Sequence, residues 1–440
     1  MIYGKGEEMK NRIIVFILLL ICLGIASGCG KDDEVMVTGN SVASEQVSSV
    51  QSSLSRPSAE ISQLPNDLPP VPEVSAEPVP KKATAEDLAV IEDYDTKYFV
   101  KKLDDEAKYR FVELYKAVSS FSEGVVFDTP PSEKELSLLM ILLNYDCPEI
   151  IQINGDYFPE YGPDDKVTGL KFSYIMDKKE YSAAVKKLDK ELEIMKQKTE
   201  GKSDYETEKI VYDTIFQNTQ YLEDDKYAGS IYGTLCRHVG RCEGFSKSFE
   251  WFMRKMGFEC LALYGSQTWN TAALYTNHSW NILKIDDSYY QVDVTADNVQ
   301  KGDIMSNPAN YGFFNTDDTM IMTGRSVDPL ITELGIPECK STDLNYHVIN
   351  GLYLKEGEGT ADKMIELIRE FDSPDGIRAL SIKYESSDEY KKALGYARKT
   401  IDNYTLNETG SNYQYAIYYN DLSQTVMFDR ITSNVSVSGG

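Results

Sequence analysis

One stretch, Arg241 to Thr295, narrows the possible folds more than anything else in this chain. Arg241-Cys242-Glu243-Gly244-Phe245 runs into a segment whose Phe245, Phe249, Phe252, Met253 and Met256 recur at helical spacing, and Gly257 ends it. Ser279 to Lys284, the polar turn Asp286-Asp287-Ser288 and Tyr289 to Thr295 then read as a β-hairpin. An amphipathic helix followed at once by antiparallel strands commits the chain to an α+β core, with the helix packed on the sheet.

Three side chains on those elements suit covalent acyl chemistry. Cys242 falls at a helix start, where the macrodipole favours thiolate, and Arg241 is expected to add a cation. Taken alone, Cys242 fits a buried cysteine packed under its helix equally well. The three histidines narrow the choice. His238 is too near Cys242 in sequence to face it from another wall, and His347 begins an expected strand far downstream. His278 lies at the open end of the hairpin. With Ile285–Ser288 as a four-residue loop, Asp293 falls opposite Trp280, and His278 is its diagonal neighbour on the same face. A slip of one residue would part them. Cys242, His278 and Asp293 thus read as nucleophile, base and orienting group.

These segments resemble the transglutaminase-like superfamily. Cys242-Glu243-Gly244-Phe245 at a helix start, His278 followed by Trp280-Asn281, and Val292-Asp293-Val294-Thr295 match its three core motifs in order and spacing. The resemblance spans Tyr232 to Asn298, with a weaker echo in Asp146-Cys147-Pro148-Glu149, similar to an Asp-Asn-Pro-Glu element of bacterial lipoprotein members. Ser279 replaces the usual Ala, and Ala296-Asp297 replaces Trp-Asp. The resemblance implies a papain/transglutaminase-like core working through a thioester, with no metal or organic cofactor. The N–H of Cys242 is the natural oxyanion donor, and Tyr232 is the candidate for a second. Papain-like peptidases share the order of groups, but their histidine usually lies much farther from the cysteine.

The chain's beginning suggests where this chemistry would act. Lys10 and Arg12 precede an apolar run, Ile13 to Ala26, which is shorter than a membrane helix needs. Ala26-Ser27-Gly28-Cys29 resembles a bacterial lipobox. Residues 1–28 are therefore expected to be a signal peptide, with translation starting at Met9 and lipid on Cys29. Seven of the sixteen prolines lie between Pro57 and Pro80, so 29–84 reads as a disordered stalk. The net charge of −25 argues against nucleic acid. Excluding Cys22 and Cys29, five cysteines remain, with no ligand spacing that suggests zinc.

Residues 85–220 read as a mainly helical region and 221–342 as the catalytic core. Phe111, Leu114, Tyr115, Val118 and Phe121 mark one apolar face, Ser132 and Ser203 open capping boxes, and Leu170–Tyr174 reads as a strand. Residues 343–440 read as a small α+β module of βαβαββ order with a ferredoxin-like flavour, starting with a strand over Tyr346–Leu354. The function expected is a lipid-anchored, outward-facing cysteine acyl-transfer enzyme acting on protein or peptide amides of the cell envelope. The alternative is a non-catalytic lipoprotein binding peptide or glycan on the same fold. The sequence leaves oligomeric state open.

Overall fold

The computed structural model describes residues 81–163, 166–268, 275–299, 309–322, 324–371, 379–407 and 414–431. The expectations for Met9, the signal peptide, Cys29 and the stalk to residue 80 fall outside these.

The N-terminal region holds α1 (Asp105–Ser119), β1 (Gly124–Val126), α2 (Glu133–Tyr145), β2 (Ile153–Tyr161) and β3 (Val167–Tyr174). Local chemistry sets its helix boundaries. The Ser132 hydroxyl accepts from Glu135 N–H to start α2, and α2 ends at Asp146, two residues before Pro148. The region is less purely helical than its periodicity suggests. β3, in which only Leu170–Tyr174 was legible, is the middle strand of an antiparallel sheet ordered β1-β3-β2. Next come α3 (Lys178–Thr199), α4 (Asp204–Asn218, with its Ser203–Glu206 capping box) and α5 (Ile231–Cys236).

The core is α6 (Cys242–Lys255) against an antiparallel sheet of β4 (Cys260–Thr268), β5 (Tyr275–Ile285), β6 (Ser288–Val292) and, after the short helix α7 (Val294–Val299), β7 (Arg325–Val327). The strand order is β6-β5-β4-β7. Asn281 pairs with Val292 and Ile285 with Ser288, the register that puts His278 and Asp293 on one face. Asp286 takes a left-handed φ of 52°, closing the hairpin in two residues.

α6 is buried on every side from Gly244 to Arg254. Its aromatic face, Phe245, Phe249 and Phe252, sits in the core with Cys260, Leu283 and Val292 of the sheet. The opposite face carries Lys247, Glu250 and Arg254, which must find partners because isolated buried charge is costly. Asn144, Asp146 and α6 itself supply them. Lys247 Nζ donates to Asn144 Oδ1 at 2.9 Å. Arg254 pairs with Asp146 at 2.6 Å and with Glu250 at 2.8 Å. Asp146 Oδ2 also accepts from Phe99 N–H and Val100 N–H, both at 2.9 Å, while Glu149 takes the Lys97 ammonium at 2.7 Å. The Asp146–Glu149 element is thus the joint between the N-terminal region and the helix that starts at Cys242.

The C-terminal module begins differently from its expectation. Tyr346–Ile349 is a one-turn helix, α8, not the start of a strand, because the Asn345 side chain accepts from His347 N–H and Val348 N–H. Only Tyr353–Leu354 (β8) is extended there. α9 (Ala361–Phe371), β9 (Ala379–Tyr384), α10 (Ser387–Asn407), β10 (Gln414–Asn420) and β11 (Thr425–Ile431) complete βαβαββ. The sheet order is β8-β9-β11-β10, with β8 and β9 parallel and adjacent. A ferredoxin-like split βαβ separates its parallel pair by another strand, so that resemblance stops at the α+β class.

Candidate active site

Cys242 opens α6 with Arg241 as its N-cap residue. Gly244 is required by packing: a Cβ there would collide with the Ala228 carbonyl and the Thr234 hydroxyl. The same Ala228 carbonyl accepts Arg241 N–H at 3.0 Å, so the segment before α5 is pressed against the start of α6. The backbone N–H groups of Glu243 and Ser279 lie near the Cys242 sulfur and favour its thiolate. Ser279 is the chain neighbour of His278, and its hydroxyl meets that of Ser246, one turn into α6, at 2.5 Å. Asn281 Nδ2 donates to Ser246 O at 2.9 Å. These polar ties hold the start of α6 to β5.

His278 pairs across the sheet with Gly265, and its ring stacks on Trp280 at a 16° interplanar angle. Its Nε2 lies 2.7 Å from Asp293 Oδ2, and both residues are almost wholly buried. Asp293 Oδ1 accepts Ala296 N–H at 2.9 Å, capping α7, and Asp293 N–H donates to Phe313 O at 3.0 Å. Asp293 is therefore held at both carboxylate oxygens and at its main chain.

Electrostatics at the three groups follow from burial and neighbours. Burial alone would raise the Asp293 carboxyl, but His278, Arg325 and the Ala296 N–H outweigh it and hold it down to about 2. Burial lowers His278 below the ordinary imidazole value despite Asp293, and Arg325 adds to the lowering. For Cys242, burial and the Glu243 and Asp293 carboxylates push the thiol up to about 12. Burial and these neighbours thus oppose the thiolate of Cys242 and the imidazolium of His278. The cation expected from Arg241 is spent on Glu243, whose Oε2 takes Arg241 at 2.5 Å. A glutamate one residue past the cysteine thus turns the local field against thiolate.

Tyr232 stands on α5 with its ring edge-on to Tyr227 and the Lys187 ammonium 5.7 Å above it, so its contacts run toward α3. Tyr145, Tyr221 and Tyr264 lie in electrostatic reach of Cys242. Tyr145 stacks on Tyr264 at 5.1 Å and donates to Glu243 Oε1 at 3.1 Å. The N-terminal region, read from sequence as a scaffold, thus contributes a wall beside the cysteine. Arg325, whose Nη1 lies 2.8 Å from Asp293 Oδ2, was not legible either. It follows Asp293 by a long, featureless interval, and no motif marks it. Cys147, Cys236, Cys242, Cys260 and Cys339 are all unpaired.

Residues 193–294 match the Transglutaminase-like superfamily, and this part of the chain is a transglutaminase-like domain. The matched segment contains Cys242, His278 and Asp293. No curated protein matches the chain. Solved structures that resemble it include a candidate cysteine protease from Cytophaga hutchinsonii, with 12% identity and a TM-score of 0.22, covering 32% of this chain and 61% of that one. Another is a TGase, with 13% identity and a TM-score of 0.23, covering 42% of this chain and 52% of that one. This chain therefore spans about half to three-fifths of those proteins' length.

Proposed function

We propose that the protein is a cysteine acyl-transfer enzyme that cleaves or transfers amide bonds, anchored by lipid on Cys29 and acting outside the cell on envelope proteins or peptides. The observation that carries the chemistry is the buried 2.7 Å His278–Asp293 pair on the sheet against which the helix opened by Cys242 packs. The Cys242 Sγ–H bond breaks as sulfur attacks the amide carbonyl. The proton passes to His278 Nδ1, the nitrogen Asp293 does not hold, while the carbonyl π pair moves onto oxygen. The N–H of Cys242 at the helix start stabilises that oxyanion. Collapse returns the proton to the leaving amine and leaves a thioester, which water or a second amine then resolves. Lipid anchoring rests on the Ala26-Ser27-Gly28-Cys29 sequence.

A peptide-amide mimic with a thiol-reactive group tests the reading. Labelling of Cys242 in wild type and its loss in His278→Ala is the expected result; equal labelling in both contradicts it. Asp293→Asn removes the charge that stabilises imidazolium. A comparable change in a serine triad costs about 10⁴-fold in turnover, and a loss of that order is expected here. Because His278 is depressed, the acid limb of kcat/KM should lie below about pH 6.5, the ordinary imidazole value. The base is neutral above that limb and active; protonation below it removes activity. If the protein only binds peptide or glycan in this cleft, Cys242→Ala will still complement a deletion strain, since losing a thiol removes little contact area.

A further inference from the structure

We propose that Lys247 and Asn144 condense into an intramolecular isopeptide bond, with Glu243 carrying the proton between them, and that this bond ties the N-terminal region covalently to α6.

At the joint between the N-terminal region and α6, two buried cations have carboxylates. Lys97 pairs with Glu149, and Arg254 with Asp146 and Glu250. Lys247 differs. It is 1% exposed, and among the described residues it makes no ion pair; its Nζ meets the side-chain amide oxygen of Asn144 at 2.9 Å. A buried ammonium answered by a neutral amide is costly. A secondary amide in the same place has no charge to bury.

Glu243 faces the other end of that amide. It stands one turn before Lys247 on α6, and its Oε1 accepts Asn144 Nδ2 at 3.2 Å and the Tyr145 hydroxyl at 3.1 Å. Its Oε2 takes Arg241. A donor on Oδ1 and an acceptor on Nδ2 leave the amide one way round, carbonyl toward the amine and nitrogen toward the carboxylate.

The bond changes balance without a co-reactant. Lys247 Nζ, as the neutral amine, gives its lone pair to Asn144 Cγ, and the carbonyl π pair moves onto Oδ1. Glu243 takes one proton from Nζ and gives it to Nδ2. The oxygen pair returns, the Cγ–Nδ2 bond breaks, and ammonia leaves past Asn144, which is only half-buried. One C–N bond replaces another, and nothing is oxidised or reduced. Burial supports the first step, since it lowers Lys247 to about 8 against the pull of Glu243. Groups held in reacting geometry reach effective concentrations of about 10⁵–10⁸ M, which offsets the inertness of an amide. Cys242 takes no part, so the bond does not depend on the acyl-transfer reading.

The test is a tryptic map of the full chain, folded and then denatured. Wild type should give one branched peptide, Glu135–Lys166 joined to Cys242–Arg254, lighter than the two together by one ammonia and uncut after Lys247. Two separate peptides, with trypsin cutting after Lys247, overturn the proposal. So does an ammonia lost at another asparagine, such as Asn154 before Gly155, while Lys247 is still cut. Glu243→Gln should leave the peptides apart; a branch at wild-type yield there overturns the role of Glu243. Cys242→Ala should branch as fully as wild type, and loss of the branch in that variant overturns direct condensation, because the cysteine would then be making the bond. Should Glu243→Gln fail to fold, the wild-type and Cys242→Ala maps still decide for or against the bond.

Discussion

The two regions that flank the core grip it by different chemistry. On the N-terminal side, Asn144, Tyr145 and Asp146 reach Lys247, Glu243 and Arg254, so three consecutive residues hold three turns of α6 through side chains. On the C-terminal side the grip falls on main chain. Lys383 Nζ donates to the carbonyls of Gly312 at 3.0 Å and Ser423 at 2.8 Å, and Asn345 Nδ2 donates to Phe314 O at 2.9 Å. The segment so held, Gly312 to Phe314, is the one whose Phe313 carbonyl accepts Asp293 N–H. One flank therefore holds the helix that starts at Cys242 through side chains, and the other holds the strand end at Asp293 through carbonyls. Pairs of ionised side chains leave a trace in the sequence, as Asp146 and Glu149 do. A carbonyl leaves none, since every residue has one.

The contrast can be broken by mutation. Asp146→Ala should be the most damaging change, because it takes from buried Arg254 one of its two carboxylate partners and leaves two N–H groups without an acceptor. Removing one partner of a buried ion pair costs about 3–5 kcal/mol, read by urea unfolding. Asp146→Asn keeps an acceptor for Phe99 and Val100 and should cost less; equal losses would mean that charge is not what the joint uses. Lys383→Met should cost about 1–3 kcal/mol, the range for carbonyls that lose a buried donor. It should also lower turnover, by loosening the Phe313 carbonyl behind Asp293. A larger loss than for Asp146→Ala would reverse the ranking and the argument with it. At the other extreme, Phe158→Ser on the outer strand β2, where the ring is 63% exposed, should stay within about 0.5 kcal/mol of wild type.

Local rules made much of this fold legible. Ser132 and Ser203 cap where their spacing says, and Asp286-Asp287 turns the hairpin in the register that aligns His278 with Asp293. What stayed hidden depends on distant partners. β2 is not legible as a strand because Asn154, Gly155, Asp156 and Pro159 break its alternation; it exists because β3 pairs with it. Tyr346 and His347 look like strand residues until Asn345 caps them. At the site, Glu243 and Arg325 each follow from no motif, yet one sets a carboxylate against Cys242 and the other a cation against Asp293. The sequence names the three candidate groups; the charges around them come from neighbours brought in by tertiary structure.

The carboxylate of Glu243 has one more effect. Peroxide attacks thiolates far faster than thiols, and the ladder from sulfenic to sulfonic acid begins with that first encounter. A cysteine pushed up to about 12 by burial and by Glu243 and Asp293 shows oxidants almost no thiolate at neutral pH. That placement of charge thus works as chemical preservation, and Cys242 should outlast exposure to peroxide that would oxidise a cysteine held as thiolate.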